Sequence, residues 1–438
     1  MKKSKLFGMA AMAAMMLGSC STDEVVNDYS PENAIQFGTY VGRDAVSRAT
    51  VTTTDNIADF GVFAYYTGQT AFATALSNID NNSGDAPIAT PNFMYNQDVN
   101  RNDANQTPES AVISGWNYSP LKYWPNNSND KITFFAYSPF SVDCAKSNGV
   151  NSIEEGLPSV TFTVNETVKQ QQDLLWANPE VDKTKQTITE NVKFTFNHAL
   201  SRIGFQVQAM VDKVNGDKET TQDNAANNND NIDNDDTGNG DILKTGTTIL
   251  VKQVTLKGKF IPSGTLAYSV QANSTPETYE AKITGTASTT DISYVLSATS
   301  TSETNLKSTE EVNMGTQDNG VYPYTKTGQK VTNDEAQLNG DDSYIMIIPQ
   351  DFTNTDLTIE VVYDVITEDT NLSNGVSFVE NTISSTFRGV NFEAGKAYTF
   401  SLHLGMTSVK LSAEVDAWDE ANGKDYSVNV PLNTGTNP

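Results

Sequence analysis

Histidine and cysteine, on which many catalytic and metal sites depend, are nearly absent from the sequence. Only two of each occur in 438 residues. His198 lies on an apolar strand face, which predicts a core histidine satisfied by a hydrogen bond, whereas His403 is expected to face solvent. The GxSxG, HExxH and CxxC motifs and a phosphate-binding glycine loop do not occur. We therefore expect no metal and no cofactor, and catalysis has no support.

Basic residues are also scarce. The 28 lysines and arginines are outnumbered by 54 aspartates and glutamates, which gives a formal net charge of −26. A surface of this sign repels phosphate backbones and anionic membrane surfaces, because like charges meet at close range. Nucleic acid is therefore excluded as a partner.

Helical periodicity is nearly absent, and alternating apolar and polar segments take its place. They are bounded by Gly, Pro, Asn, Asp and Ser, as β-strands usually are. Short strands at this spacing predict β-sandwiches, in which two sheets bury their apolar faces against each other. The predicted fold class is all-β. The clearest segments are 60–66, 131–137, 160–164, 192–198, 203–209, 248–258, 344–349, 357–365, 396–404 and 409–418.

An Asn- and Asp-rich segment, 213–242, divides the chain. It has few apolar residues, so it cannot bury enough surface to offset its ordering entropy, and we interpret it as a solvated loop or linker. Its likeness to a calcium loop is loose, because Lys244 stands where a bidentate glutamate is needed. We predict an N-terminal β-sandwich domain over 34–212 and a C-terminal one over 243–438.

The N-terminus has the pattern of a lipoprotein signal peptide. Three lysines precede an apolar run that is too short to span a bilayer comfortably. The LGSC sequence that ends at Cys20 resembles the bacterial lipobox, in which the cysteine is acylated. We predict removal of residues 1–19, lipidation of Cys20 and a lipidated linker over 20–33. Cys144 is then left without a disulfide partner. An ordinary secreted protein with a chance cysteine is the alternative.

The first predicted strand, 34–42, is followed by an exposed basic loop, 43–56. The strand places Ile35, Phe37 and Val41 on one side, as in a half-buried strand. Burial of these three side chains is worth about 5 to 9 kcal/mol together. The loop carries two arginines, and Arg48 stands in the sequence SRAT.

The tryptophans have two possible roles. Trp116, Trp124, Trp176 and Trp418 are all close to predicted strands or at their ends. Large aromatic side chains most often fill cores and anchor strand ends. In a surface protein such rings also stack on sugars, and Trp116 and Trp124 are the candidates for that role.

In this order the segments resemble the fimbrillin-like proteins of Bacteroidetes. The resemblance is carried by AIQFGTY and SRAT, then FGVFAYY, YWPNNSNDKITFFAYSP, DLLWA, VKFTFNHALSRIGFQV and GKAYTFSLHLGMTSVKLSAEVDAW. It implies two tandem β-sandwich domains of transthyretin-like architecture, export as a lipoprotein and assembly into a surface fimbria. Members of the family mature when an extracellular arginine-specific protease cuts in the loop after the first strand. The matching bond here joins Arg48 and Ala49.

The resemblance suggests a role for both ends of the chain. Loss of the first strand would leave an apolar groove, which a strand from another subunit would fill by β-strand addition. The C-terminal tail is a candidate donor, since alternate residues on one face are apolar. Pro431 counts against it, and a last strand paired within its own domain is the alternative. The candidate donor residues are Tyr426, Val428, Val430 and Leu432.

The sequence therefore predicts a non-enzymatic structural subunit of a cell-surface fimbria that serves adhesion. Its expected partners are other fimbrial subunits, the arginine-specific protease, and a host glycan or protein. Before processing, its lipid would hold it in the outer membrane. The alternative is a permanently anchored lipoprotein that binds glycans.

Overall fold

The computed structural model of the protein is built almost entirely from β-strands. It describes residues 33–41, 52, 54, 56–81, 86–101, 115–141, 155–188, 191–209, 247–271, 278–298, 306–314, 324–340, 343–405, 409–417 and 426–428. These segments contain one α-helix, α1 (Phe72–Asn81), and a short 3-10 helix at Val168–Gln170. Neither is long and apolar enough to cross a membrane. The all-β prediction is confirmed.

The first half of the chain forms a mainly antiparallel eight-stranded sheet. Along the sheet the order is β1-β9-β7-β5-β2-β3-β4, with β8 paired to β5, so β1 lies at one edge. The strands of this half are β1 (Phe37–Val41), β2 (Asp59–Gly68), β3 (Met94–Arg101), β4 (Trp116–Asn117), β5 (Lys131–Ser138), β6 (Ser159–Thr163), β7 (Leu175–Ala177), β8 (Glu180–Lys183), β9 (Val192–His198) and β10 (Ser201–Ala209).

The middle of this sheet is buried on both faces, and the sequence of β5 shows why. Phe134 and Phe135 are adjacent, so they point to opposite sides of the sheet. Phe134 belongs to an N-terminal core that also contains Phe37 of β1. Phe135 belongs to a larger core that continues into the second half of the chain. An apolar run without alternation is typical of a strand covered on both sides.

Most strands of the second half of the chain belong to two six-stranded sheets. One has the order β17-β10-β23-β24-β25 and the other β15-β16-β11-β20-β21, while β18 pairs with β10 and β14 with β11. The strands are β11 (Thr247–Gly258), β12 (Ser263–Val270), β13 (Tyr279–Gly285), β14 (Ile292–Ser297), β15 (Glu310–Met314), β16 (Tyr324–Lys330), β17 (Ala336–Gln337), β18 (Ile345–Ile347), β19 (Gln350–Phe352), β20 (Leu357–Glu368), β21 (Val376–Phe387), β22 (Val390–Phe392), β23 (Lys396–Leu404), β24 (Val409–Ala417) and β25 (Tyr426–Val428).

Two strands that precede the predicted division of the chain at residue 212 pair with strands that follow it. β10 precedes that point but pairs in parallel with β23 along its length. β6 pairs with β12, which belongs to the second half. Strand pairing therefore places β10 in the C-terminal sheet, and the two halves are interlocked. Alternation could not reveal this, because it reports which side chains are buried and not which neighbour a strand has. The segment 213–242 lies outside the described residues.

Candidate functional site

The first strand closes the free edge of the N-terminal sheet. β1 runs parallel to β9, with Phe37 opposite Val192 and Val41 opposite Phe196. Just before β1, the amide of Ile35 donates to the carbonyl oxygen of Lys122 at 2.8 Å. The segment from 33 to 41 is thus held between β9 and the chain that leads into β5. The strand β1 itself is shorter than the predicted strand 34–42, because regular pairing begins at Phe37.

The inward side chains of this segment are completely enclosed. Ile35 and Phe37 are 0% exposed and Val41 is 1% exposed. The Phe37 ring lies among four other rings, with centroid distances of 5.4 to 6.1 Å. These rings belong to Phe60, Tyr118, Phe134 and Phe194, and we call them the aromatic pocket. A side chain of this size in a closely packed pocket is costly to remove, because the vacated space is not refilled.

Tyr118 contacts both the side chain and the backbone of the segment. Its ring forms part of the aromatic pocket, and its hydroxyl donates to the carbonyl oxygen of Ile35 at 2.8 Å. Burial raises the pKa of Tyr118 well above its usual range, so the hydroxyl stays protonated and remains a donor. Its other acceptor, the carbonyl oxygen of Lys122, is more distant at 3.3 Å.

Thr54 holds the other end of the strand. Its hydroxyl donates to the carbonyl oxygen of Val41 at 2.8 Å and accepts from the amide of Val41 at 2.9 Å. Thr54 is itself tied to β3, because Arg101 donates from Nη2 to its carbonyl oxygen at 3.0 Å. The Arg101 guanidinium also lies 5.7 Å from the ring centroid of Trp116. A side chain near the C-terminal end of the basic loop thus closes the end of β1.

A buried hydrogen bond between a histidine and an aspartate lies beside Thr54. Nδ1 of His198 is 2.8 Å from Oδ2 of Asp173, and both side chains are enclosed. The same carboxylate oxygen accepts from the amide of Thr52 at 3.1 Å. His198 is therefore a hydrogen-bonded core histidine, as the sequence indicated. His403 is partly buried instead of fully solvent-facing, since β23 is flanked by a strand on each side.

The described tryptophans pack against other rings. Trp116 is 5% exposed and meets Phe60 edge to face at 4.8 Å. Trp124 is half-buried beside Phe134 at 6.1 Å. Trp176, also half-buried, lies 6.1 Å from Tyr268. All three have the packing role that the sequence allowed for them, and sugar stacking by Trp116 or Trp124 stays a prediction.

Several predicted site residues lie outside the described part of the chain. They are Cys20, Arg48, Ala49, Val430 and Leu432. Tyr426 and Val428 lie in β25, which pairs with β24 of the same chain at a sheet edge. In the single chain these described residues of the tail therefore have the arrangement that was the alternative to a donor. Among the described residues, no group of three or more His, Cys, Asp or Glu is placed to hold a metal ion.

Sequence reasoning did not identify Tyr118 or Thr54. Both lie in short polar stretches without alternation, GWNYSP and VTTTDN, so periodicity gave no signal. The position of Thr54, near the end of the basic loop, was the one feature that could have drawn attention to it. A hydroxyl in a loop can satisfy the backbone of the strand before that loop.

The fold and this site define an all-β protein whose N-terminal core is closed by an edge strand. A family model described as fimbrillin-like matches residues 47–329, more than half of the chain, so the protein belongs to the fimbrillin-like family. This confirms the resemblance seen in the sequence. The chain is similar to the fimbrium subunit Fim1C of Phocaeicola vulgatus, with 25% identity over 95% of this chain and 97% of that protein.

A solved structure supports the fold. The crystal structure of a fimbrial protein from Bacteroides vulgatus superimposes with a TM-score of 0.55 at 21% sequence identity. The match covers 88% of this chain and 99% of that one. At this level of identity the likeness establishes the architecture alone.

Proposed function

We propose that the protein is a structural subunit of a cell-surface fimbria and not an enzyme. Its family and the printed name of its relative from Phocaeicola vulgatus, a fimbrium subunit, support this role. The chain is exported as a precursor with a lipid on Cys20, which anchors it in the outer membrane. Its main partners are other fimbrial subunits, and the assembled fimbria serves adhesion to a host glycan or protein.

Assembly begins with a cut in the basic loop. An extracellular arginine-specific protease cleaves between Arg48 and Ala49, which breaks the covalent link between β1 and β2. The observation that carries this proposal is the position of β1, an edge strand paired to one neighbour, which together with the residues just before it has three enclosed side chains. An edge strand can leave a sheet without disturbing the other ladders.

The vacated groove is then filled by another subunit. Burial of Ile35, Phe37 and Val41 contributes about 5 to 9 kcal/mol, which is close to the whole stability of many domains, about 5 to 15 kcal/mol. An empty groove is therefore unstable, and an extended segment from a second copy fills it by β-strand addition. The C-terminal tail, with Tyr426, Val428, Val430 and Leu432, supplies this strand.

Limited digestion of the purified, unlipidated chain tests the proposal. The protein is treated with an arginine-specific protease, the new terminus is sequenced, and the product is examined by electron microscopy. The variant Arg48→Lys keeps the charge but removes the cleavage site, and Arg43→Lys is its matched control. We expect a terminus at Ala49 and rods for the natural chain and for Arg43→Lys.

Two outcomes separate the parts of the proposal. Rods from the uncut Arg48→Lys variant would contradict a role for cleavage. A chain that is nicked at Arg48 but stays monomeric, even after long incubation at high concentration, would contradict strand exchange. Removal of the chain from Tyr426 onward should abolish rods while leaving the cut unchanged, because the donor is lost and the protease site is not.

A further inference from the structure

We infer that Thr54 retains β1 after the loop is cut, so that cleavage and strand release are separate steps. This inference rests on the proposed strand exchange and names a positioning residue that controls it. Thr54 lies on the C-terminal side of the Arg48–Ala49 bond, so it stays with the body of the protein when that bond is broken.

The backbone pattern of β1 explains why a side chain is needed at its end. The amide of Val192 in β9 donates to the carbonyl oxygen of Gln36. In a parallel ladder the groups that face one neighbour alternate along the strand, so those of Val41 point away from β9. They point to the free edge of the sheet, where unpaired amide and carbonyl groups are costly if buried. Thr54 supplies both missing partners with one hydroxyl.

Hydrogen bonds to the rest of the fold fix the position of Thr54 and its neighbours. Arg101 donates to the carbonyl oxygens of Thr54 and Ile57, and its backbone amide donates to the carbonyl oxygen of Ala58. The amide of Thr52 donates to the buried carboxylate of Asp173. These contacts join residues 52–58 to β3 through Arg101 and to the end of β9 through Asp173, which contacts His198. None of them passes through the peptide bond that the protease cuts.

The two ends of β1 are therefore held in different ways. At Ile35 the hold consists of the Lys122 carbonyl and the Tyr118 hydroxyl, within the N-terminal core. On the outer edge at Val41 it consists of Thr54, in the processing loop. The outer edge next to the cut thus depends on one hydroxyl, so this is where an invading strand gains access first. Until such a strand arrives, Thr54 keeps the groove closed.

The experiment measures how fast the severed strand leaves. The unlipidated chain is cut with an arginine-specific protease, and a tenfold or greater molar excess of a peptide spanning residues 33–42 prevents rebinding. Native mass spectrometry follows the loss of the N-terminal fragment. The variants are Thr54→Val, which removes the hydroxyl, and Thr54→Ser, which keeps it. Thr52→Val is the matched control, because the contact of Thr52 with Asp173 uses its backbone amide.

We expect the natural chain, Thr54→Ser and Thr52→Val to release the fragment slowly and at similar rates. Thr54→Val should release it about tenfold faster, since two hydrogen bonds are lost together. A merely structural role predicts a lower melting temperature of uncut Thr54→Val without a change in the release rate. Melting curves of the uncut chains separate the two cases.

The opposing outcomes fall into two groups. Equal release from Thr54→Val and the natural chain overturns the inference and leaves strand exchange intact. Immediate release from the natural chain does the same, because retention is then absent. A fragment that never leaves, even from Thr54→Val and with excess peptide, overturns the proposed strand exchange and the inference with it.

Discussion

β1 and β20 both bury side chains in a core, but the chain holds them differently. β20 has 12 residues and lies between β11 and β21, so its backbone is paired along both edges. β1 has five residues and one strand neighbour, and side chains satisfy its outer edge at both ends. Burial therefore fixes where a strand lies, whereas the number of ladders sets how many backbone hydrogen bonds must break before the strand can leave.

The largest expected effect comes from the aromatic pocket. Phe37→Ala should destabilise the uncut chain by about 3 to 5 kcal/mol, because it leaves a cavity among four rings. Urea unfolding of the intact protein measures the loss. Tyr40→Ala is the matched control on the same strand, since Tyr40 is 46% exposed, and it should change stability by less than about 0.5 kcal/mol. Similar losses in the two variants would mean that β1 does not contribute to the N-terminal core.

A smaller effect is expected for a buried carboxylate on β20. Asp364 is 0% exposed and lies 3.5 Å from Nζ of Lys326 and 3.9 Å from Nζ of Lys252. Asp364→Ala should cost about 2 to 3 kcal/mol, because both ammonium groups lose a partner where water access is limited. Thermal melting of the uncut chain measures this loss.

A surface ion pair just outside the paired ends of β20 and β21 provides the control for Asp364. Asp356 pairs with Arg388 where both side chains are more than half exposed. Asp356→Ala should leave the melting temperature almost unchanged, because solvent screens exposed pairs. If Asp364→Ala is as mild as Asp356→Ala, charge pairing does not help to fix β20, and its two backbone ladders suffice.

The smallest effect concerns the hydroxyl of Tyr118. Tyr118→Phe keeps the ring in the aromatic pocket and removes one hydrogen bond to β1, so we expect a loss of about 1 kcal/mol at neutral pH. Burial raises the pKa of Tyr118 in the folded chain. The stabilisation is therefore fully present below the unfolded pKa of about 10 and is lost as the pH rises above it.

Unfolding measured from pH 8 to 11 tests this sign. The difference between the natural chain and Tyr118→Phe should shrink above about pH 10, where ionisation of the hydroxyl begins to favour the unfolded chain. A difference that grows with pH would show that the hydroxyl is not a buried neutral donor.

The sequence predicted the strands well because burial leaves a period of two. Ile35, Phe37 and Val41 were assigned to one face from alternation alone, and all three are enclosed. The parallel partner of β1 and the sheet that contains β10 could not be predicted, because periodicity carries no information on neighbours. Thr54 and Tyr118 were missed for a different reason, since single polar residues in irregular segments have no period. Side-chain contacts across the sheet edge become apparent only in three dimensions.

The pairing of β10 with β23 has a mechanical consequence. β9 of the N-terminal sheet ends at His198 and β10 begins at Ser201, so two residues join a strand of one sheet directly to a strand of the other. The two halves cannot be pulled apart at this point unless β10 leaves its ladder with β23, in which eight residue pairs are in register. A filament of such subunits would resist stretching at the junction between its halves without needing a disulfide there.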